Sequence, residues 1–187
     1  MALPLPFRPQ RFREAPEAER GRGDGIEIRR AQAEDVPAIL ELSEEAAVYS
    51  MSPLRPSDPQ RARQIRRQDM ASLKFQVRDP QMAIFVARTP EGRVVGEVVA
   101  KLDGRDFLSD QPQAWIFELA VHPDFWRQGI GGRLLYAVEC AAREAGLECV
   151  GLSVTCANER ANRFYDSLGY QDERRLLLKK LTPNLGP

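Results

Sequence analysis

At 187 residues the chain is long enough for one domain with a sizeable core and cramped for two. Its 27 basic side chains equal its 27 acidic ones, which removes any reason to expect bulk attraction to nucleic acid or to a membrane surface. No apolar run nears the roughly 20 residues of a membrane helix, and the opening "MALPLPFRPQRFREAPEAERGRGDG" sets prolines and charges where a signal peptide needs an apolar stretch; a cytoplasmic location is expected.

Residues 1–25 mix Pro, Gly, Arg and Glu without an apolar period and read as a disordered N-terminal tail, followed by one domain over 26–182. "IEIRRA" alternates like a strand. "EDVPAILELSEEAAVYS" then reads as a helix, with Asp35 as N-cap, Pro37 in the first turn and an inward stripe of Ile39, Leu40, Leu42 and Ala46. A proline-broken loop, "SPLRPSDP", leads to a second helix, "QRARQIRRQDMASLKFQV", whose arginines 61, 63, 66 and 67 read as a solvated face. "QMAIFVAR" and "RVVGEVVAKLD" form an antiparallel hairpin, and "AWIFELAVHP" supplies a further strand. A glycine-marked helix to about Gly146, the strand "LECVGLSVT", a short helix "NERANRFYDSLG" and a last strand near "ERRLLLKKL" complete the order. The class is α/β with a mixed sheet, and its central strand–helix–strand unit is parallel and right-handed. Cys140, Cys149 and Cys156, odd in number and without CxxC spacing, read as mostly buried, reduced thiols, with no metal expected.

The stretch "FWRQGIGGRLLYA" places three glycines in the first turn of an amphipathic helix, where each costs about 1 kcal/mol against alanine. A helix start has free N–H groups and a positive dipole end, and glycines let a phosphate reach those amides. The spacing fits neither G-x-G-x-x-G, whose third position falls on Leu134, nor a P-loop, which requires a following lysine. Arg127 and Arg133 suit a diphosphate, while tight packing of helix on strand is the other use for such glycines.

Read together, "ELAVHPDFWRQGIGGRLL" and "LSVTCANERANRFYDSLGYQ" resemble the acyl-CoA-binding core of the GNAT superfamily of N-acetyltransferases. The likeness is close from Trp115 to Gln171 and loose over the flanking elements from Ile26 to Leu181. It implies a central mixed sheet flanked by helices, with splayed parallel central strands and acetyl-CoA as co-substrate between them. Leu119, Ala120 and Val121 would then offer backbone to the pantetheine arm. The pyrophosphate cradle would be Arg127, Gln128, Gly129, Ile130, Gly131 and Gly132, with Arg133 behind it. Trp126 departs from the family pattern, which usually has Arg or Gln three residues before the first glycine.

Acetyl transfer to an amine needs a neutral amine, a stabilised oxyanion and a proton for the leaving thiolate. At pH 7 an alkyl ammonium of pKa near 10.4 is neutral in only about one molecule in a few thousand, so a base is required. Glu118, on the strand beside the thioester, is the candidate base, acting through a water, although strict alternation sets it opposite Phe117 and Leu119 and leaves the acceptor's face open. The amide near Leu119 is the implied oxyanion donor. Tyr165 matches the family's general acid, with Phe164 free to fill the packing role beside it. Asn158 reads as a helix cap, a pantetheine partner, or both. His122 reads as a turn residue, and Cys156 lacks the set of neighbours an acyl-enzyme nucleophile needs.

The resulting expectation is an enzyme that moves acetyl from acetyl-CoA directly to a primary amine of a small molecule or protein. The alternatives are a non-catalytic acyl-CoA-binding or sensing module and, last, a polyanion binder using the arginine helix. The acceptor would enter between the first two helices, near Tyr49 to Asp58, and the loop "DGRDFLSDQPQ", whose Asp103, Asp106 and Asp110 either attract a cation or keep a loop soluble. A monomer or homodimer fits equally.

Overall fold

The computed structural model describes residues 25–181; the tail expected over residues 1–25 lies, Gly25 apart, outside them. Five strands form one sheet in sequence order: β1 (Glu27–Arg30), β2 (Met82–Arg88), β3 (Val94–Arg105), β4 (Pro112–Val121) and β5 (Val150–Leu152). The first four are antiparallel neighbours, and β5 runs parallel to β4. The parallel pair needs a crossover, which α4 (Ile130–Glu144) provides. The other helices are α1 (Val36–Tyr49), α2 (Pro59–Asp69), α3 (Leu73–Gln76) and α5 (Glu159–Ser167).

The near-continuous apolar runs of β2 and β3 reflect burial on both faces. On one face, Ile130, Leu134, Leu135, Val138 and Ala141 of α4 recur at helical spacing and close over Ala83, Val95, Val98 and Ile116. On the other, Ile39 of α1, Met70 and Leu73 cover Met82, Ile84, Val86 and Val99. Asp35, expected as a side-chain cap, makes no cap bond to α1. Its carboxylate instead takes both Arg29 guanidinium nitrogens, at 2.7 and 2.9 Å, and the Gln32 amide at 2.8 Å, so it ties β1 to the turn before α1.

Three elements differ from the sequence-based expectation. The long second helix breaks at residues 70–72 into α2 and α3, because the turn lets both Met70 and Leu73 reach the core; tertiary burial overrides helix propensity. Strand β5 is three residues long rather than nine. The last strand near "ERRLLLKKL" does not form. That segment is held by Arg174, which reaches Asp106 at 2.6 Å and lies over the Phe107 ring, while Leu176, Leu177 and Leu181 stay exposed. The cysteines are free, but Cys149 and Cys156 are exposed and Cys140 half-buried, because they fall on surface turns and on the flank of α4.

Candidate active site

Strand β4 carries an irregularity that decides which side chains meet. Val99 of β3 pairs with Glu118 and Ala100 pairs with Ile116, so Phe117 is an extra residue, a β-bulge. Alternation therefore fails there. Ile116, Leu119 and Val121 pack on the α4 side, whereas Phe117 lines a cavity with Val99 and Arg66 and Glu118 bonds Arg66. The separation of Glu118 from Phe117 expected from strict alternation is thus corrected: both face α1 and α2.

Pairing of β4 with β5 stops at Ile116 opposite Leu152, and beyond it the two parallel strands part. The His122 amide donates to the Val95 carbonyl of β3 at 2.8 Å. Counting back by twos, Ala120 and Glu118 direct their main-chain groups to β3, and those of Leu119 and Val121 face the cleft. The Trp126 indole N–H, at 2.5 Å, already donates to the Val121 carbonyl.

At the mouth of this cleft lies the start of α4. Gly129, the N-cap, has φ +77°, and a Cβ there would meet nothing within 4 Å. The first intrahelical bond runs from Arg133 N–H to Gly129 O, so the amides of Ile130, Gly131 and Gly132 have no acceptor within the helix. Arg127 also sits at positive φ, 61°, a conformation costly outside glycine. Gly131 serves packing, since a Cβ would come 3.0 Å from the Phe164 ring. Arg133 donates to the Ile26 carbonyl at 2.6 Å, tying α4 to the start of β1, and Gln128 donates to the Asp124 carbonyl at 3.2 Å.

Across the cleft, Trp126 is sandwiched. Its ring meets Tyr49 of α1 edge-on at 5.4 Å, and the Arg160 guanidinium of α5 lies 3.4 Å from its centroid. Thr155 adds a hydrogen bond of 2.7 Å to the Ser50 carbonyl. These contacts join the ends of α1 and α5 to the glycine loop.

Two carboxyls share the α1–α2 face. Glu97 of β3, opposite Ala120, is fully buried; its Oε1 accepts from Ser43 Oγ at 3.3 Å and its Oε2 has no partner. Glu118, one diagonal step away, binds Arg66 Nη1 at 3.1 Å through Oε2. Burial holds the Glu97 carboxyl well above the usual range, the charge of Glu118 adds to that, and Ser43 and Arg66 oppose it. Burial likewise pushes Glu118 up to about 7 against the pull of Arg66. Cavities of about 290 and 230 Å³ flank Arg66.

Tyr165 stands on α5 between Phe164 and Tyr170, with ring centroids at 5.3 and 5.6 Å. Burial first, then Glu118 and Glu97, push its phenol up to about 12. It stays protonated at neutral pH and lies within electrostatic reach of Glu118. Asn158 caps α5, its Oδ1 accepting from the Ala161 amide at 3.2 Å. His122 accepts from the Asp124 amide and belongs to a turn. The aspartates of the 103–113 loop are already neutralised: Asp103 by Lys101, Asp110 by Arg105 and Asp106 by Arg174.

Glu97 and Ser43 were not singled out by the sequence, and Arg66, expected on a solvated face with Arg61, Arg63 and Arg67, instead turns inward to Glu118. Two signals were present: Ala62, Arg66 and Met70 recur at i, i+4, i+8 as the inward stripe of α2 and its cap, and Glu97 interrupts an apolar run that only a strand buried on both faces would carry.

The sequence profile of the acetyltransferase (GNAT) family matches residues 41–170. The chain belongs to the GNAT family. It is similar to the mycothiol acetyltransferase of Propionibacterium freudenreichii subsp. shermanii, 38% identical over 90 residues that make up 46% of this chain and 27% of that protein. It is also similar to the ribosomal protein bS18-alanine N-acetyltransferase of Escherichia coli (strain K12), 35% identical over 60 residues, 32% of this chain and 40% of the other. The matched region therefore spans less than half the length of either curated relative. Among solved GNAT structures, an aminoglycoside acetyltransferase from an uncultured soil metagenomic sample superposes with a TM-score of 0.59 at 25% identity, covering 86% of this chain and 97% of that one. The mixed sheet with flanking helices is the fold these structures share.

Proposed function

We propose that this protein transfers the acetyl group of acetyl-CoA directly to a primary amine. The observation that supports the reading is a raised carboxyl, Glu118, within electrostatic reach of an uncharged phenol, Tyr165, near the place where the pairing of β4 with β5 ends.

The residues present fit the coenzyme. The unbonded amides of Ile130, Gly131 and Gly132, the open space beside Gly129 and the positive end of α4 suit a diphosphate. Main-chain groups of Leu119 and Val121 suit the amide-bearing pantetheine arm. When bound there, acetyl-CoA supplies an activated acyl thioester. Glu118, near its midpoint at neutral pH, takes a proton from the acceptor ammonium, directly or through a water. The amide of Leu119 faces the cleft and donates to the carbonyl oxygen as negative charge develops on it. Tyr165 holds the proton that the departing thiolate needs; with its phenol pushed up to about 12, it is never lost to solvent near neutral pH. Asn158 caps α5 through Oδ1, which leaves its amide nitrogen for the pantetheine.

The proteins this chain resembles are named as mycothiol, ribosomal protein bS18-alanine and aminoglycoside acetyltransferases, and the two acidic side chains facing α1 and α2 support an acceptor approaching from that side. The reading is tested by incubating the purified protein with acetyl-CoA and a diverse amine library, following free CoA and acetylated product by mass spectrometry. Acetylated product that depends on both Glu118 and Tyr165 is expected. Failure to bind acetyl-CoA, or binding without turnover on any amine, overturns it, the latter in favour of an acyl-CoA-binding module.

A further inference from the structure

The carboxyl pair and its single cation are mismatched. Arg66 Nη1 stands 3.1 Å from Glu118 Oε2 as an ion pair, but among the described residues the two make no hydrogen bond of good geometry, unlike the two-pronged Arg29–Asp35 contact. The Arg66 Nε is buried without a partner, and so is Glu97 Oε2 on a side chain that is completely enclosed. Two buried carboxyls and one guanidinium thus leave an acceptor and a donor idle within one polar pocket, an arrangement that invites a ligand with better-placed protons.

Arg66 is also free to leave. No residue of α2 itself is fully buried, and the helix is tied to α1 by the exposed Arg67–Glu44 pair. Cavities lie on either side of the Arg66 side chain. Asp69, one turn further along α2, lines both of them and has no ion-pair partner among the described residues; at i+3 it is within reach of the Arg66 side chain. The larger cavity, between Arg66 and the sheet, has walls of Met70, Met82, Val99 and Phe117.

We propose that Arg66 is a built-in stand-in for the acceptor's ammonium: it occupies the Glu118–Glu97 pocket, and an incoming primary amine on an apolar body displaces it onto Asp69. The inference rests on the acetyl-transfer reading for the fate of that amine, but the exchange of cations does not require turnover. Charge balances at each stage, since Glu118 trades one cation for another and Arg66 trades one carboxylate for another. The apolar walls select the body of the acceptor, so a monoamine on an apolar body is favoured over a polycation such as spermidine.

The test uses the full chain, acetyl-CoA, phenethylamine and spermidine, with Arg66→Ala, Arg66→Gln, Arg66→Lys and Asp69→Asn. Measured at about pH 9, so that Glu118 stays ionised without the pull of Arg66, removing the internal competitor lowers the phenethylamine KM about tenfold in Arg66→Ala and Arg66→Gln. Arg66→Lys keeps a competitor and a KM near that of the wild type, and Asp69→Asn raises KM. A KM that rises or stays constant in both neutral variants, with their melting temperatures intact, overturns the proposal, as does a preference for spermidine. A second readout needs no turnover: phenethylammonium titrated into 15N-labelled protein shifts the Arg66 Nε–H resonance. Displacement without acetylation of any amine leaves this proposal standing and sinks the acetyl-transfer reading. Acetylation with the Arg66 resonance unmoved does the reverse.

Discussion

Phe117 and Glu118 are consecutive residues of one strand, yet both side chains face α1 and α2, because the bulge at Phe117 cancels the alternation between them. The same bulge marks the end of pairing with β5. One extra residue thus turns a carboxyl toward α1 and α2, while the Leu119 main chain faces the gap where β4 and β5 part. On the proposed reading the two substrates would meet through the sheet rather than on one face of it.

Glu118→Gln is expected to lower kcat/KM by a factor of roughly 10² to 10⁴, the usual range for loss of a positioned base. In the wild type, kcat/KM should climb with pH and level off above about 7, where the buried carboxyl becomes ionised. The glutamine variant should lose that inflection while retaining acetyl-CoA affinity, since the amides proposed to hold the coenzyme lie on α4 and on the edge of β4 turned away from β3. Rate profiles from pH 5 to 9, with calorimetric binding of acetyl-CoA, check both halves.

For Tyr165→Phe the expected signature is different. Turnover falls on the order of a hundredfold, the lower end of what a proton donor contributes, and coenzyme affinity stays within about twofold because the ring still packs between Phe164 and Tyr170. Burial and the two carboxyls push this phenol up to about 12, so the wild-type profile should show no falling limb between pH 8 and 10. A limb centred there would assign the proton to another group.

The glycines of the loop divide their duties, and two substitutions separate them. Gly129→Ala forces an alanine to φ +77° at a cost of about 1 kcal/mol and sets a methyl in the open space beside the unbonded amides. It should weaken acetyl-CoA binding strongly and lower the melting temperature little. Gly131→Ala puts a methyl 3.0 Å from Phe164; overpacking of this kind typically costs about 1–3 kcal/mol, so thermal stability falls first and turnover follows as Tyr165 shifts with its neighbour. Melting curves and binding isotherms on both variants distinguish the two.

Much of this was written in local sequence. The helix and strand periods and the strand–glycine–helix order gave the mixed sheet with flanking helices, and the two motifs gave the GNAT family, whose profile matches residues 41–170. The acceptor side was harder to read. The bulge at Phe117 has no composition signature, and its effect, to bring Glu118 under Arg66, depends on strand register. Arg66 itself looks like any of the four arginines of a solvated helix until the 59–76 segment breaks at Met70 and fixes which face turns inward. The final strand failed for a related reason: "ERRLLLKKL" has strand propensity, but a three-residue β5 offers it no ladder.

Glu97 supplies a stability test independent of catalysis. Its carboxyl is held above the ordinary value of 4.5 by burial and by Glu118, and the groups that face it are Ser43 of α1, Arg66 of α2, Glu118 of β4 and, more distantly, Tyr165 of α5. A group whose folded pKa is raised contributes stability that is complete below the unfolded value and is lost as pH rises through the folded one. Wild-type stability should therefore decline from about pH 5 upward, where the unfolded carboxylate ionises and the buried one resists. Glu97→Gln keeps the shape and removes the titration. It should match the wild type near pH 4 and exceed it at pH 8 by on the order of 1–3 kcal/mol, with a residual slope below pH 7 left by Glu118. Urea midpoints at the two pH values decide it. A glutamine variant that is weaker at pH 8 would mean that the native Glu97 is ionised and supported by Arg66.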